Sequence, residues 1–136
     1  MKLTNRMANW ISTLGAHIAT ANKSGFPAVI VVNGTKVEGE KIVATLSERQ
    51  LAQIENNINE NPQVAVAPGQ IGSIRAPYQF KGSAKIYGNE LIISVTEIYC
   101  TKPGAEAGIR LDTLGDGEMQ TFDESRWKDL APKSAE

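Results

Sequence analysis

The chain has 136 residues, the usual length of one domain, which excludes a two-domain enzyme. Hydrophobic residues make up 41% and charged residues 21%, a composition typical of folded globular proteins and not of disordered chains. Fourteen Lys and Arg against fifteen Asp and Glu give a formal net charge of −1, and no run of basic residues occurs, so nucleic acid and anionic membranes are not expected as partners.

The single cysteine and the first residues indicate the compartment. Cys100 has no second cysteine with which to form an intramolecular disulfide, and MKLTNRMANWISTLG lacks the apolar core and cleavage site of a secretory signal. The longest mostly apolar stretch, Phe26 to Val32, is too short to cross a bilayer. We therefore expect a cytoplasmic protein and interpret Cys100 as a buried or edge thiol.

The first 25 residues predict a helix followed by a strand and a tight turn. Gly15 stands where helices commonly end, and before it apolar residues recur at helical spacing: Leu3, Met7, Trp10, Ile11 and Leu14. From Ala16 to Ala21 the period changes to two, which indicates a strand. Residues 22–25 (NKSG) then supply the turn.

The next segment, Phe26 to Val37, is β-branched and extended in character, and two turn positions compete in and after it. Asn33-Gly34 is the stronger turn dipeptide, whereas Glu38-Gly39 would pair two strands of useful length. We prefer the second turn, which leads into a strand over Glu40 to Leu46. Gly34 then marks a bulge or a close approach to the backbone.

A second helix is predicted over residues 47–60, because Ser47 and Gln50 form a capping box and Asn61-Pro62 ends the segment. Beyond it we predict a short strand over residues 63–67 and a long polar loop over residues 68–77. Two further strands, over residues 78–87 and 91–99, are joined by a Gly88-Asn89 turn.

The chain after Cys100 is Gly-rich and irregular, and a short amphipathic piece contains Phe122, Trp127 and Leu130. Trp127 is a candidate functional residue, since an indole can stack on a planar ligand or insert into a neighbouring subunit. The alternative is that a terminal helix packs on its own barrel.

The element order is helix, three strands, helix, three strands and tail. We predict a mainly β single domain over residues 1–136 with two to three flanking helices, built as a six-stranded antiparallel split barrel, because closure removes exposed strand edges. Residues 1–15 hold the first helix, residues 16–100 the barrel, and residues 101–136 the irregular tail with its short helix.

Few residues are suited to catalysis. His17 is the only histidine, which excludes a His-rich metal site, and we interpret it as a structural residue. The patterns GxGxxG after a strand, GxxxxGK[ST], CxxC and HExxH are absent, and the acidic residues are scattered. We therefore nominate no catalytic side chain and no metal ligand.

The start of the second helix is the feature with a chemical mechanism. Its first turn offers free backbone N–H groups, the polar side chains of Ser47 and Gln50, and the cation of Arg49. An anion such as a phosphate monoester would fit such a set. The alternative is that Ser47 only caps its own helix and that Arg49 is solvated.

Several segments in order resemble the pyridoxamine 5′-phosphate oxidase-like, FMN-binding split-barrel family, from about His17 to Arg110. The first hairpin is similar at HIATANKSGFPAVIV, and the Lys-Gly-x-Ala strand at FKGSAKI. The strand, phosphate-binding helix and Asn-Pro-x-Val stop are similar at KVEGEKIVATLSERQLAQIENNINENPQVAVA. A C-terminal segment of small members resembles ISVTEIYCTKPGAEAG.

The resemblance implies a homodimer that holds FMN in a groove between its subunits. The second strand would follow the flavin ring at Val31, Val32 and Asn33. Ribityl and phosphate would face the end of the third strand and the helix after it, at Thr45, Leu46, Ser47, Arg49, Gln50 and Gln53, and Trp127 completes the predicted cofactor-binding set.

We accordingly predict an FMN-binding flavoprotein that acts as a flavin-dependent oxidoreductase or electron-transfer protein with a small-molecule or protein redox partner. The alternative is a flavin-free dimeric binding module on the same barrel.

The chain departs from the family pattern in its charges. Family members commonly place a basic residue one turn into this helix, where this chain has Gln53 or Ile54. Only Arg49, or Arg75 or Lys102 of a second copy, would replace that charge. The apolar second strand, and a bare turn after Tyr87 where larger relatives insert a helix, argue against a true pyridoxamine phosphate oxidase.

Overall fold

The computed structural model describes residues 2–105 and 107–111. Helix α1 spans Asn5–Leu14 and helix α2 spans Glu48–Glu60. The strands of this part of the chain are β1 (Ala16–Ala21), β2 (Pro27–Val32), β3 (Thr35–Glu38), β4 (Lys41–Thr45), β5 (Gln63–Pro68), β6 (Gln70–Ile71), β7 (Ile74–Arg75), β8 (Tyr78–Tyr87) and β9 (Glu90–Cys100). The predicted mainly β fold is confirmed.

Seven strands form one antiparallel sheet in the order β2-β1-β5-β8-β9-β4-β3. The outermost strands, β2 and β3, are consecutive in the chain and joined only by Asn33 and Gly34. Laid flat, seven strands would separate the two edges by about 29 Å, whereas this link spans at most about 11 Å. The sheet must therefore curl into a barrel, with a seam where β2 and β3 meet.

The core lies inside this curl, and α1 covers part of it. Met7, Trp10, Ile11 and Leu14 are the buried face of α1, as the helical spacing predicts. The Thr35 hydroxyl donates to the Ile11 carbonyl at 2.7 Å and so ties α1 to β3. From the sheet, the inward side chains alternate with outward ones along each strand, and the largest fully buried ones are Ile18, Val32, Ile42, Tyr78, Phe80, Leu91 and Ile93.

The strand count differs from the six predicted. The segment predicted as one strand over residues 26–37 divides into β2 and β3, because Asn33 and Gly34 carry the chain across the seam. The preferred later hairpin is confirmed, with Gly39 and Glu40 between Glu38 and Lys41. The predicted loop over residues 68–77 holds the small β6–β7 hairpin, whose turn contains Gly72 at a φ of 59°.

Several local predictions are confirmed. The second helix begins at its capping box, the turn between β8 and β9 falls at Gly88-Asn89, and the Cys100 thiol is buried. No helix among residues 2–105 and 107–111 is long and apolar enough to span a bilayer. The tail beyond Leu111, with its predicted short helix and Trp127, lies outside the described residues.

The pairing of β8 and β9 has one irregularity. Lys81 lies opposite Glu97 but Gly82 lies opposite Val95, so the register shifts by one residue at a β-bulge. A Cβ atom added to Gly82 would lie 2.1 Å from the Ser94 carbonyl oxygen. A side chain therefore fits at Gly82 only if the two backbones move apart.

We expect Gly82→Ala to lower the free energy of unfolding by about 1 to 3 kcal/mol, the usual cost of overpacking. Gly34→Ala is the matched control, since its added Cβ would meet Thr45 Cβ at an ordinary 3.6 Å. Its effect should stay within about 0.5 kcal/mol. Urea denaturation of both variants measures the difference, and equal losses would contradict the close approach at Gly82.

Candidate functional site

The end of β4 lies between two chain segments that precede its partner strands, the link before β3 and the turn before β9. The backbone N–H of Thr45 donates to the Gly34 carbonyl at 2.9 Å, and that of Leu46 donates to the Asn89 carbonyl at 2.8 Å. These bonds fix the end of β4 between the link after β2 and the β8–β9 turn. Helix α2 therefore begins at a defined place beside the edge of β2.

A capping box organises the first turn of α2. The Ser47 hydroxyl accepts from the Gln50 N–H at 3.2 Å, and the Gln50 Oε1 accepts from the Ser47 N–H at 3.0 Å. The Gln50 Nε2 also donates to the Val31 carbonyl on β2 at 2.6 Å. Ser47 thus caps its own helix, which was the alternative to a ligand contact, and Gln50 connects the helix to the strand.

The groups that remain for an anion at this helix start are few. Within the described part of the chain, the backbone N–H groups of Glu48 and Arg49 have no hydrogen-bond partner and the Arg49 guanidinium has no ion pair. The first turn also contains the Glu48 carboxylate, which interacts favourably with the helix dipole but would repel a bound anion. Any phosphate here would depend on two N–H groups and one exposed cation.

The predicted cofactor-binding residues differ in burial. Gln50 is half-buried, and six residues present exposed side chains: Val31, Asn33, Thr45, Ser47, Arg49 and Gln53. Val32 and Leu46 instead face the core, because they occupy the inward positions next to Val31 and Thr45. Only the backbone of these two residues is placed to meet a ligand, and Trp127 lies outside the described residues.

Burial also distinguishes the residues that could place a positive charge beside the phosphate. Ile54 is completely buried, whereas Gln53 lies on the surface one turn after Arg49. Lys102 is buried, so its ammonium is not presented to a second copy of the chain. Arg49 is exposed at the start of α2, in contrast to the buried Lys102.

A feature that the sequence analysis missed is an apolar outer face on β2, β1 and β5, which we call the outer face. Val29 and Val31 of β2 are 62% and 57% exposed, and Phe26 just before the strand is 74% exposed. Their lateral neighbours are small: Val29 lies opposite Ala19, which pairs in turn with Ala65. The sequence analysis assigns the run PAVIVV to a ligand-facing strand. Because successive side chains of a strand point to opposite faces of the sheet, this run could also have indicated that some of its valines are exposed.

The only histidine lies on this outer face. His17 is exposed, flanked by Val31 on β2 and Ala67 on β5, so it is a surface residue and not a core one. It lines a cavity of about 260 Å³ together with Ala67, Ala76 and Gln79. The imidazole is therefore accessible among small side chains.

Polar side chains continue the outer surface across β8 and β9. The Tyr99 hydroxyl donates to the Glu97 carboxylate at 2.9 Å, and Arg110 lies 3.8 Å from the same carboxylate. The Lys81 ammonium lies 4.9 Å from the centre of the Tyr99 ring. The surface thus changes from apolar on β2, β1 and β5 to charged on β8 and β9.

No family model matches the chain. The chain is 30% identical to the uncharacterized protein MJ0282 of Methanocaldococcus jannaschii, in an alignment that covers 79% of this chain and 87% of the relative. The chain belongs to the MJ0282 family.

Solved structures show the fold class of this chain. HupZ of Group A Streptococcus is similar with a TM-score of 0.60 and 21% identity, covering 78% of this chain and 99% of HupZ. A candidate pyridoxamine 5′-phosphate oxidase of Lactobacillus delbrueckii is similar with a TM-score of 0.59 and 16% identity, covering 73% and 94%. The predicted split-barrel fold of the pyridoxamine 5′-phosphate oxidase-like proteins is confirmed.

Two further neighbours differ in the cofactor that they bind. An FMN-binding protein of Syntrophomonas wolfei has a TM-score of 0.58 at 8% identity, covering 74% of this chain and 86% of that protein. HutZ, the heme storage protein of Vibrio cholerae, has a TM-score of 0.53 at 13% identity, covering 74% and 95%. Proteins with a similar fold thus include an FMN-binding protein and a heme storage protein.

Proposed function

We propose that the protein binds FMN at the seam, in a groove completed by a second copy of the chain, and acts in flavin-dependent oxidoreduction or electron transfer. The observation that carries this proposal is the 2.6 Å bond from Gln50 Nε2 to the Val31 carbonyl. It holds the exposed end of β2 beside the first turn of α2, so a strand edge and an anion-attracting helix start face one groove.

The chemistry of the seam residues fits the parts of FMN. The apolar Val31 side chain and the polar Asn33 side chain suit the flavin ring, and the Thr45 hydroxyl and Gln53 amide suit the ribityl hydroxyls. The two unpartnered N–H groups at Glu48 and Arg49, with the Arg49 guanidinium, suit the phosphate. A single exposed cation predicts modest affinity, in keeping with the missing helix lysine.

Bound FMN would supply the redox chemistry, accepting and donating electrons at its ring. The residues of this chain bind and orient the cofactor, with Arg49 neutralising phosphate charge and the β2 edge defining one wall for the ring. No described side chain is required as an acid or a base. The redox partner, a small molecule or a protein, would approach from the open side of the groove, and we place the reaction in the cytoplasm.

The outer face supports the proposed homodimer. Phe26, Val29 and Val31 expose large apolar side chains beside the small residues of β1 and β5, a surface that a monomer would leave in water. A second copy covering this face would also stand next to the seam, because Val31 belongs to both. The flavin-free alternative keeps this dimer and loses only the phosphate and ring contacts.

Flavin titration tests the cofactor proposal. We expect the purified protein to quench flavin fluorescence on binding FMN, and Arg49→Ala to weaken FMN binding about fivefold to tenfold, the low end for a charge-assisted contact at an exposed site. Riboflavin, which lacks the phosphate, should bind Arg49→Ala and wild type equally.

The matched control is Lys23→Ala, which removes an exposed cation in the β1–β2 turn and should leave FMN affinity unchanged. Absence of quenching by wild-type protein would overturn FMN binding and favour the flavin-free module. Equal losses of FMN and riboflavin in Arg49→Ala would show that Arg49 does not contact the phosphate.

Light scattering tests the dimer. Val29→Glu places a charge in the outer face and should convert a dimer of the wild-type mass into monomers, because a buried unpaired carboxylate is costly. Tyr87→Glu is the matched control, since Tyr87 is 61% exposed but belongs to the β8–β9 hairpin end. A monomeric wild type, or equal dissociation by both variants, would rule out this interface.

Heme is a second candidate ligand, and His17 is the observation that favours it. The exposed His17 imidazole, with the apolar neighbours Val31 and Ala67, would supply a nitrogen ligand for heme iron. The fold neighbour HutZ is a heme storage protein.

For heme we expect hemin titration to give a Soret shift that His17→Ala abolishes. The control Gln79→Ala changes a neighbour in the same cavity but removes no axial ligand, so it should keep the shift. An unaltered Soret shift in His17→Ala would exclude this ligand.

A further inference from the structure

We infer that Gln50 is a positioning residue of the proposed FMN site: it sets the place of the β2 edge relative to the first turn of α2 and makes no contact with the flavin itself. This inference rests on the proposed function. It revises the sequence prediction, in which Gln50 was a direct ligand of the cofactor.

Both ends of the Gln50 side-chain amide are engaged within the protein. Its Oε1 accepts from the Ser47 N–H at 3.0 Å, and its Nε2 donates to the Val31 carbonyl at 2.6 Å. The amide keeps one further N–H and one further lone pair, but these two bonds fix its orientation, and turning it toward phosphate or ribityl would break one of them. Breaking the first would open the helix cap, and breaking the second would release the edge of β2.

The Val31 carbonyl needs such a partner because of where β2 lies. As the first strand in the sheet order, β2 pairs with β1 on one side only, and carbonyls on its other side have no neighbouring strand. Gln50 takes the place of a strand at one of these carbonyls. The bond therefore fixes the part of β2 that we assign to the flavin ring.

Helix α2 offers a comparison within the same chain. Among described residues it makes two side-chain hydrogen bonds to the sheet, one from Gln50 to Val31 and one from Asn57 Nδ2 to the Thr20 hydroxyl at 3.0 Å. The second bond lies two turns further along the helix and reaches β1. Both bonds anchor the helix, but only the first borders the proposed site.

The test uses two near-isosteric variants, Gln50→Met and Asn57→Leu, and two ligands, FMN and riboflavin. We expect both variants to lower the thermal midpoint. Gln50→Met should weaken binding of FMN and riboflavin by the same factor, about threefold to tenfold, because the ring wall moves for both ligands. Asn57→Leu should keep both dissociation constants within about twofold of wild type.

Other outcomes overturn the inference in distinguishable ways. Selective loss of FMN binding in Gln50→Met would mean that Gln50 contacts the phosphate, and equal affinity losses in both variants would mean general helix anchoring. Unchanged affinities in Gln50→Met, with a wild type that binds flavin, would overturn only the positioning role. A wild type that binds neither flavin would overturn the proposed function and this inference together.

Gln50→Glu provides a second variant if Gln50→Met does not fold. A glutamate keeps an oxygen that can accept from the Ser47 N–H and removes the donor to the Val31 carbonyl. Riboflavin is then the decisive ligand, because it carries no phosphate for the new charge to repel. A loss of riboflavin binding of about threefold to tenfold is expected, and unchanged riboflavin binding would overturn the positioning role.

Discussion

Asn33 and Gly34 join the two outermost strands of a seven-stranded sheet, and this short link governs the rest of the structure. Because two residues cannot span the width of a flat sheet, the sheet has to curl until β2 and β3 meet. The curl creates an interior for the alternating apolar residues of each strand. It also leaves a seam at which hydrogen bonding between strands is interrupted and other groups must complete it.

The candidate site follows from this interruption. Backbone groups at a strand edge need partners, and Gln50 supplies one by donating to the Val31 carbonyl of β2. The N–H groups of Thr45 and Leu46 continue the pairing of β4 with β3 and β9 and so fix the start of α2 beside that edge. A helix that starts at such a place brings its N–H groups and positive dipole end to an exposed strand edge. Closure of the sheet thus places the start of α2 beside an unpaired strand edge.

The sequence predicted the positions of the helices and strands better than it predicted which of their side chains face outward and which face the core. Periodicity located α1, the capping box located α2, and Gly88-Asn89 located a hairpin, because each depends on residues close together in the chain. The division of residues 26–37 had a local signal in the Asn33-Gly34 dipeptide, but this signal predicts a hairpin, whereas the link instead joins the two outer edges of the sheet. Similarly, a resemblance could nominate Val32 and Leu46, whereas only the fold shows that their side chains face the core.

The placement of polar groups bears on how much of the proposed site one chain supplies. Among the described side chains, the start of α2 has one exposed cation, Arg49, beside the Glu48 carboxylate, while Lys102 is buried and not accessible to an outside ligand. Next to the seam, Val29 and Val31 make the outer face apolar. Charged side chains begin at β8, with Lys81. A ligand held by this chain alone would have weak anchoring at its anionic end and an uncovered apolar wall. In the proposed dimer, a second copy on the outer face would cover that wall, and burial of the flavin ring would supply affinity that a single exposed cation at the phosphate does not.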